Sequence, residues 1–187
     1  PEYVRALAGW IGVDIELVRD AVGRNNRESA SGVRSNIEKS SPTYLLEREV
    51  IKSIVQFSEL SASWRELTPE DFSDESLRAV FAIICEHPQA LSNLTELMGK
   101  LEPDSAALIT ELTVEPLRSA EATESFINSL ISRVREVSVT RKIAELKSTL
   151  LRLDPESPEY GPTFSELIAL EAVRRTLHEK GLGEALL

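Results

Sequence analysis

Apolar residues recur at three- and four-residue spacing along most of this chain, with no sustained two-residue alternation, so the pattern predicts an all-α fold. Tyr3, Val4, Leu7, Ala8 and Ile11 predict a first short helix that Gly12 stops, and Asp14 is placed to cap a second over Ile15–Val22. Residues 23–42 hold one Val and one Ile among Ser, Asn, Gly and charged residues. That stretch has too little to bury and is expected to be a linker. Ser41-Pro42 is a helix-start signal, and Leu45, Leu46, Ile51, Ile54, Val55 and Phe57 mark a strongly amphipathic helix behind it. A short piece around Trp64 and Leu67 follows, then a start signal at Thr68-Pro69-Glu70-Asp71 with Phe72 as its anchor. Ser73 or Asp74 caps a helix whose Leu77, Val80, Phe81, Ile83 and Ile84 face inward, and His87-Pro88 ends it. Two more short helices fit Leu91–Leu101 and Asp104–Leu112.

From Ser119 to Leu153 there is neither Pro nor Gly. Phe126, Leu130, Val134 and Val137 form one stripe there, and Ile143, Leu146, Leu150 and Leu153 continue it. An unbroken helix of about 35 residues would be roughly 50 Å long and would bridge two packing units. Val137-Ser138-Val139-Thr140 is the place for a bend, since these are weaker helix formers. Asp154-Pro155 ends the helix. Gly161-Pro162-Thr163 restarts the chain into a last helix carrying Phe164, Leu167, Ile168, Leu170, Ala172, Val173 and Leu177, with Gly181 as its stop. The expected architecture is a helical bundle, a long bridging helix and a C-terminal helical hairpin. In that hairpin Leu170, Val173 and Leu177 should pack on Ile143, Leu146 and Leu150.

Composition narrows the function more than the fold. The chain has 187 residues, is 42% hydrophobic and only 5% aromatic, and carries a net charge of -10. No apolar run is long enough to span a membrane. The start at Pro1-Glu2-Tyr3, without Met or a signal-peptide pattern, suggests a fragment of something longer. The charge is unevenly placed: residues 43–131 hold six basic and sixteen acidic groups, while the segments before and after each balance. An acidic middle should repel a phosphate backbone, so no direct nucleic-acid binding is expected. It is either a solvated surface or a face for a basic partner.

Candidate chemistry is sparse. One cysteine and two histidines give neither a disulfide nor a zinc set, and no metal site is expected. Cys85 lies on the apolar run Ala82-Ile83-Ile84 and is expected to be a buried small hydrophobe. His87 and His178 stand at helix ends, where a cation suits the helix dipole. Glu47 and Glu49 flank Arg48 and look like ordinary surface charges. No catalytic residue emerges. Leu7-Ala8-Gly9-Trp10-Ile11-Gly12-Val13-Asp14 followed by Leu17-Val18 has the outline of a helix-turn-helix, but Glu16 and Asp20 offset Arg19 and Arg24, so a basic recognition face is missing. At the other end Arg174, Arg175, His178 and Lys180 cluster beside Leu182, Leu186 and Leu187, which makes either a docking surface or a frayed tail.

The strings Leu46-Glu47-Arg48-Glu49-Val50-Ile51-Lys52, Val55-Gln56-Phe57-Ser58-Glu59-Leu60, Leu67-Thr68-Pro69-Glu70-Asp71-Phe72 and Arg78-Ala79-Val80-Phe81 resemble the C-terminal helicase-interaction domain of bacterial DNA primase, the DnaG family. The Tyr3…Leu7-Ala8-Gly9-Trp10-Ile11-Gly12-Val13 segment is similar to the end of that family's RNA polymerase domain. The replicative helicase's own N-terminal domain shares the bundle pattern and is the first rival. A helix-turn-helix regulator and a small helical enzyme are the others. The resemblance implies four parts: the polymerase-domain end over 1–22, a linker over 23–42, a bundle over 43–131 and a hairpin over 132–187. It implies a non-catalytic, cytoplasmic module that ties primase, a DNA-directed RNA polymerase, to the hexameric replicative helicase. The hairpin and its Arg174, Arg175, His178, Lys180, Leu182, Leu186 and Leu187 would be the contact. Zinc and magnesium belong to upstream parts of such a parent, so no cofactor is expected in this chain. Some relatives bind the acidic tail of the single-stranded-DNA-binding protein, and Arg48 and Lys52 fall at matching positions. Where those relatives carry another basic residue before the long helix, this chain has Thr110-Glu111-Leu112, an acid instead.

Overall fold

Ser41 and Pro42 open a helix, as their order in the sequence predicts. The structure, a computed structural model, describes residues 41–118 and 122–183. The helices expected over 1–22, and the linker up to residue 40, lie outside them. Six α-helices appear among the described residues, and no strand: α1 (Pro42–Phe57), α2 (Glu75–Glu86), α3 (Leu94–Met98), α4 (Pro103–Val114), α5 (Glu124–Leu150) and α6 (Tyr160–Gly183). Single 3-10 turns at Ser63–Glu66, Pro69–Asp71 and Pro88–Ser92 connect them. The all-α reading holds.

Local signals account for most boundaries. The Asp74 carboxylate accepts from Leu77 N–H at 2.9 Å and starts α2. Asp71 accepts from Thr68 N–H at 2.8 Å and closes the turn between Thr68 and Phe72. Pro103 opens α4, where its missing N–H costs nothing. Thr123 Oγ1 accepts from Phe126 N–H at 3.2 Å and starts α5.

Two apolar clusters organise the chain from Pro42 onward, which forms one compact unit. The larger joins Ile51 and Ile54 of α1, Leu77, Phe81 and Ile84 of α2, Leu97 of α3, Ile109 and Leu112 of α4, and Ile127, Leu130 and Val134 of α5. Phe72 closes it, its ring 4.7 Å from that of Phe81. The smaller cluster is Val139 and Ile143 of α5 with Leu167 and Leu177 of α6, extended by Leu146, Leu150 and Leu170. α5 serves both clusters and runs unbroken through Val137-Ser138-Val139-Thr140.

Three details differ from expectation. α5 has 27 residues, so it is about 40 Å long rather than 50. Its cap at Thr123 and its end at Leu151 both fall inside the Pro- and Gly-free stretch. Gly181 does not stop α6, which continues to Gly183; Gly161 and Pro162 sit in its first turn, where Pro is tolerated. Val173 is 41% exposed and Leu167 takes its place against α5. The seam positions of α6 are Leu167, Leu170, Arg174, Leu177 and Gly181, spaced three, four, three and four, which brings Arg174 to the seam instead of Val173.

Candidate functional site

The inner face of α1 carries a charged constellation that corrects the reading of Glu47 and Glu49 as surface groups. Glu47 is 1% and Glu49 4% exposed. Glu47 Oε1 accepts from Ser73 N–H at 2.8 Å and from Ser73 Oγ at 2.7 Å, and Glu47 Oε2 accepts from Asp74 N–H at 3.2 Å. A buried carboxylate from one helix thus satisfies the orphan donors where another begins. Glu49 accepts from Lys52 Nζ at 2.7 Å and from Arg118 N–H at 2.7 Å.

Arg48 and Lys52 are not free donors. Lys52 is 1% exposed, and its ammonium has three acceptors: Glu49 at 2.7 Å, Glu115 Oε1 at 3.0 Å and the Pro116 carbonyl at 2.9 Å. Three donors meet three acceptors, which is what lets an ammonium be buried. Arg48 pairs with Glu111 at 2.8 Å and with Glu115. Gln56 donates to the carbonyls of Leu112 and Glu115, at 2.6 and 2.8 Å. Burial resists ionisation of Glu115, yet hydrogen bonds and charge from Arg48 and Lys52 outweigh it and hold its carboxyl below the ordinary value. The end of α4 therefore occupies the two cations that the sequence offered to an acidic tail. An incoming carboxylate would have to displace Glu115. Glu111 is part of the same arrangement.

The hairpin presents a different surface. Arg174 reaches Glu171 at 2.8 Å, Lys147 of α5 reaches the other oxygen of Glu171 at 2.9 Å, and His178 Nδ1 lies 2.9 Å from Glu136. Lys147 first, then Arg174, holds the Glu171 carboxyl below its usual range. Arg175 and Lys180 are exposed and have no carboxylate partner among the described residues. Glu136, Glu171, Arg174, Arg175 and His178 line an open hollow of about 250 Å³. The structure thus brings Arg174, Arg175 and His178 together. The Leu182 side chain, Leu186 and Leu187 lie outside what it describes.

Sequence reasoning missed exposed apolar residues elsewhere on α6. Phe164 is 47%, Ile168 56% and Val173 41% exposed on α6. Tyr160 stacks on Phe164 with ring centroids 6.4 Å apart. The apolar run of α6 includes Phe164 and Ile168 without assigning them a face; the signal that separates them from Leu167 and Leu170 is the seam register with α5.

Cys85 is exposed rather than buried, because its turn of α2 faces outward. Partial burial, then the Glu70 and Glu86 carboxylates, push its thiol above the ordinary value, which keeps it a poor nucleophile. No group of three or more His, Cys, Asp or Glu among the described residues could hold a metal ion. No helix among them is long and apolar enough to cross a membrane.

A family model described as DNA primase DnaG DnaB-binding matches residues 47–160. The DNA primase of Mycolicibacterium smegmatis is 30% identical over 216 residues, covering 99% of this chain and 34% of that protein. The DNA primase of Mycobacterium leprae is 30% identical over 220 residues, covering 98% and 34%. The chain therefore spans about a third of these relatives (34%). Among solved structures, the helicase binding domain of primase from Mycobacterium tuberculosis superposes with a TM-score of 0.57 at 32% identity, covering 75% of this chain and 94% of that one.

Proposed function

The chain belongs to the DNA primase DnaG DnaB-binding family, and we propose that it tethers a primase to the replicative helicase hexamer in the cytoplasm, so that primers are made at the fork. The tether works by effective concentration: a linker before the bundle keeps the polymerase near the strand that leaves the helicase. Primer synthesis belongs to the parts of the parent beyond this chain. We keep the four-part division at residues 1–22, 23–42, 43–131 and 132–187 as part of this reading.

The observation that carries it is the outer face of α6. Phe164 and Ile168 are bare there, on a stripe that runs on at i+11 to the exposed Arg175, toward the cation-bearing end of the helix. Apolar anchors supply most of the energy of such contacts, and charges around them set rate and orientation. Leu182, Leu186 and Leu187 are the further residues proposed for this end. Titrating the helicase with the intact chain and with a Phe164→Ser, Ile168→Ser variant tests the reading. Binding should weaken at least about tenfold, a loss of roughly 1.4 kcal/mol. No binding by the intact chain would remove the tether; equal binding by both would remove α6 as its surface.

A further inference from the structure

Trp64 is buried, and its indole Nε1 has no hydrogen-bond acceptor among the described residues. A covered N–H without an acceptor gives up its water and gains nothing in return. Trp64 also lines an open hollow of about 350 Å³. Three connecting segments meet there: the loop after α1, the Ser63–Glu66 turn and the Pro88–Ser92 turn. Pro88 and Leu91 give the hollow an apolar wall.

The charged side chains on the rim are unspent. Arg65 lies over the Trp64 ring, its guanidinium carbon 4.8 Å from the ring centroid. It is exposed and has no carboxylate partner among the described residues. Glu59 is exposed and has no cation partner among them. These groups restrict what fits. An indole N–H can only donate, so the ligand must bring an acceptor. The Arg65 guanidinium is a planar fork of donors that matches a carboxylate. Glu59, within a segment of sixteen acidic against six basic groups, opposes a multiply charged phosphate but can accept from an amide N–H. A peptide with one acidic side chain meets all three demands.

We propose that this hollow is a peptide site, which takes a short extended segment of a protein partner with one Asp or Glu in it. A backbone carbonyl of that segment accepts from Trp64 Nε1, and a backbone N–H donates to Glu59. The carboxylate draws Arg65 off the indole ring, and that movement opens the way to the covered nitrogen. The site is built from other elements than the hairpin, so it goes beyond the tethering reading and does not depend on it.

Nuclear magnetic resonance of the isotope-labelled 187-residue chain tests the site. The indole resonance that Trp64→Phe removes belongs to Trp64. N-acetyl-aspartyl-leucinamide should move that resonance downfield and saturate it, at concentrations at least about tenfold below those N-acetyl-lysyl-leucinamide needs. Inorganic phosphate should leave it in place. Arg65 is exposed, so Arg65→Glu keeps the fold, and it should reverse the order of the two peptides. Trp64→Phe, followed through the amides of residues 88–92, should weaken the aspartyl peptide at least about tenfold. A Trp64 resonance that the aspartyl peptide leaves in place overturns the proposal. So does one that phosphate moves as far, or an order of peptides that survives Arg65→Glu. A Trp64 indole proton still in contact with water at peptide saturation overturns it too, and gives the nitrogen to an ordered water instead.

Discussion

At the scale of the residue, buried charges of α1 hold distant parts of the bundle together. Glu47 anchors the start of α2 through three hydrogen bonds. Glu47→Ala removes the acceptor from buried donors and should cost about 1–3 kcal/mol in denaturant unfolding, without loss of helix content outside α2. Lys52→Met leaves the buried Glu49 with only the exposed Arg118 guanidinium, 4.0 Å away, as a cation. That should cost about 3–5 kcal/mol, the usual consequence of removing one partner from a buried pair. Glu115 adds a pH dependence with a definite sign. Its folded carboxyl is held below the ordinary value of 4.5, so its stabilisation is complete above the range where unfolded glutamate ionises and is lost as pH falls through and below that range. Unfolding free energies measured from about pH 6 down to about pH 3 should fall more steeply for the intact chain than for Glu115→Gln. Glu171 titrates with the same sign in both proteins and cancels in the comparison. None of this was legible in the sequence. Glu47, Arg48, Glu49 and Lys52 follow one another like any polar run on a surface helix, and apart from the i,i+3 pair of Glu49 with Lys52 their acceptors and donors lie 26 to 69 positions away. Charge burial is a property of tertiary placement, whereas apolar periodicity is local.

At the scale of the element, what the sequence revealed was the existence of each helix. What it left open was which of two adjacent apolar positions faces the neighbour. Asp74, Thr123 and Pro103 mark starts because capping is a short-range matter. α6 offers Ile168 next to Leu167, which periodicity alone ranks alike, and Val173 next to Arg174, where it favours Val173. The seam with α5 takes Leu167 and Leu177, 8% and 5% exposed, and leaves Val173 41% exposed. Leu177→Ala should therefore cost about 2–5 kcal/mol and Val173→Ala less than about 0.5, as read from thermal or denaturant melts. Gly181 looked like a helix stop because glycine commonly takes a left-handed turn at that place. Here it continues the helix, and an added Cβ meets Arg133 Cγ at an ordinary contact distance of 3.5 Å. Gly181→Ala should accordingly stabilise the hairpin by about 0.5–1 kcal/mol.

At the scale of the whole molecule, the excess of negative charge lies in residues 43–131, and part of it is spent internally on Arg48 and Lys52. Duplex and single-stranded DNA should still bind weakly at physiological salt; micromolar affinity in a filter or anisotropy assay would contradict the repulsion expected from this acidic segment. The hairpin balances nine basic against nine acidic groups over residues 132–187, yet Asp154, Glu156, Glu159 and Glu166 gather around its loop, and Arg174, Arg175 and Lys180 stand toward its other end. α5 sets the distance between these regions. The last α5 residue in the bundle's apolar cluster is Val134 and the helix ends at Leu150, so the far end of the hairpin lies about 24 Å beyond that cluster along a straight helix, with Arg141 donating to the Glu70 carbonyl at 2.6 Å on the way. A rod of that length is a lever. A rocking of α5 by about 10° in its bundle seat swings the tip through roughly 4 Å, close to the distance between neighbouring turns of a helix, while the side chains around Leu130 and Val134 shift by only a fraction of that. Small torques on the bundle would thus reach the hairpin tip as steps comparable to a helical turn.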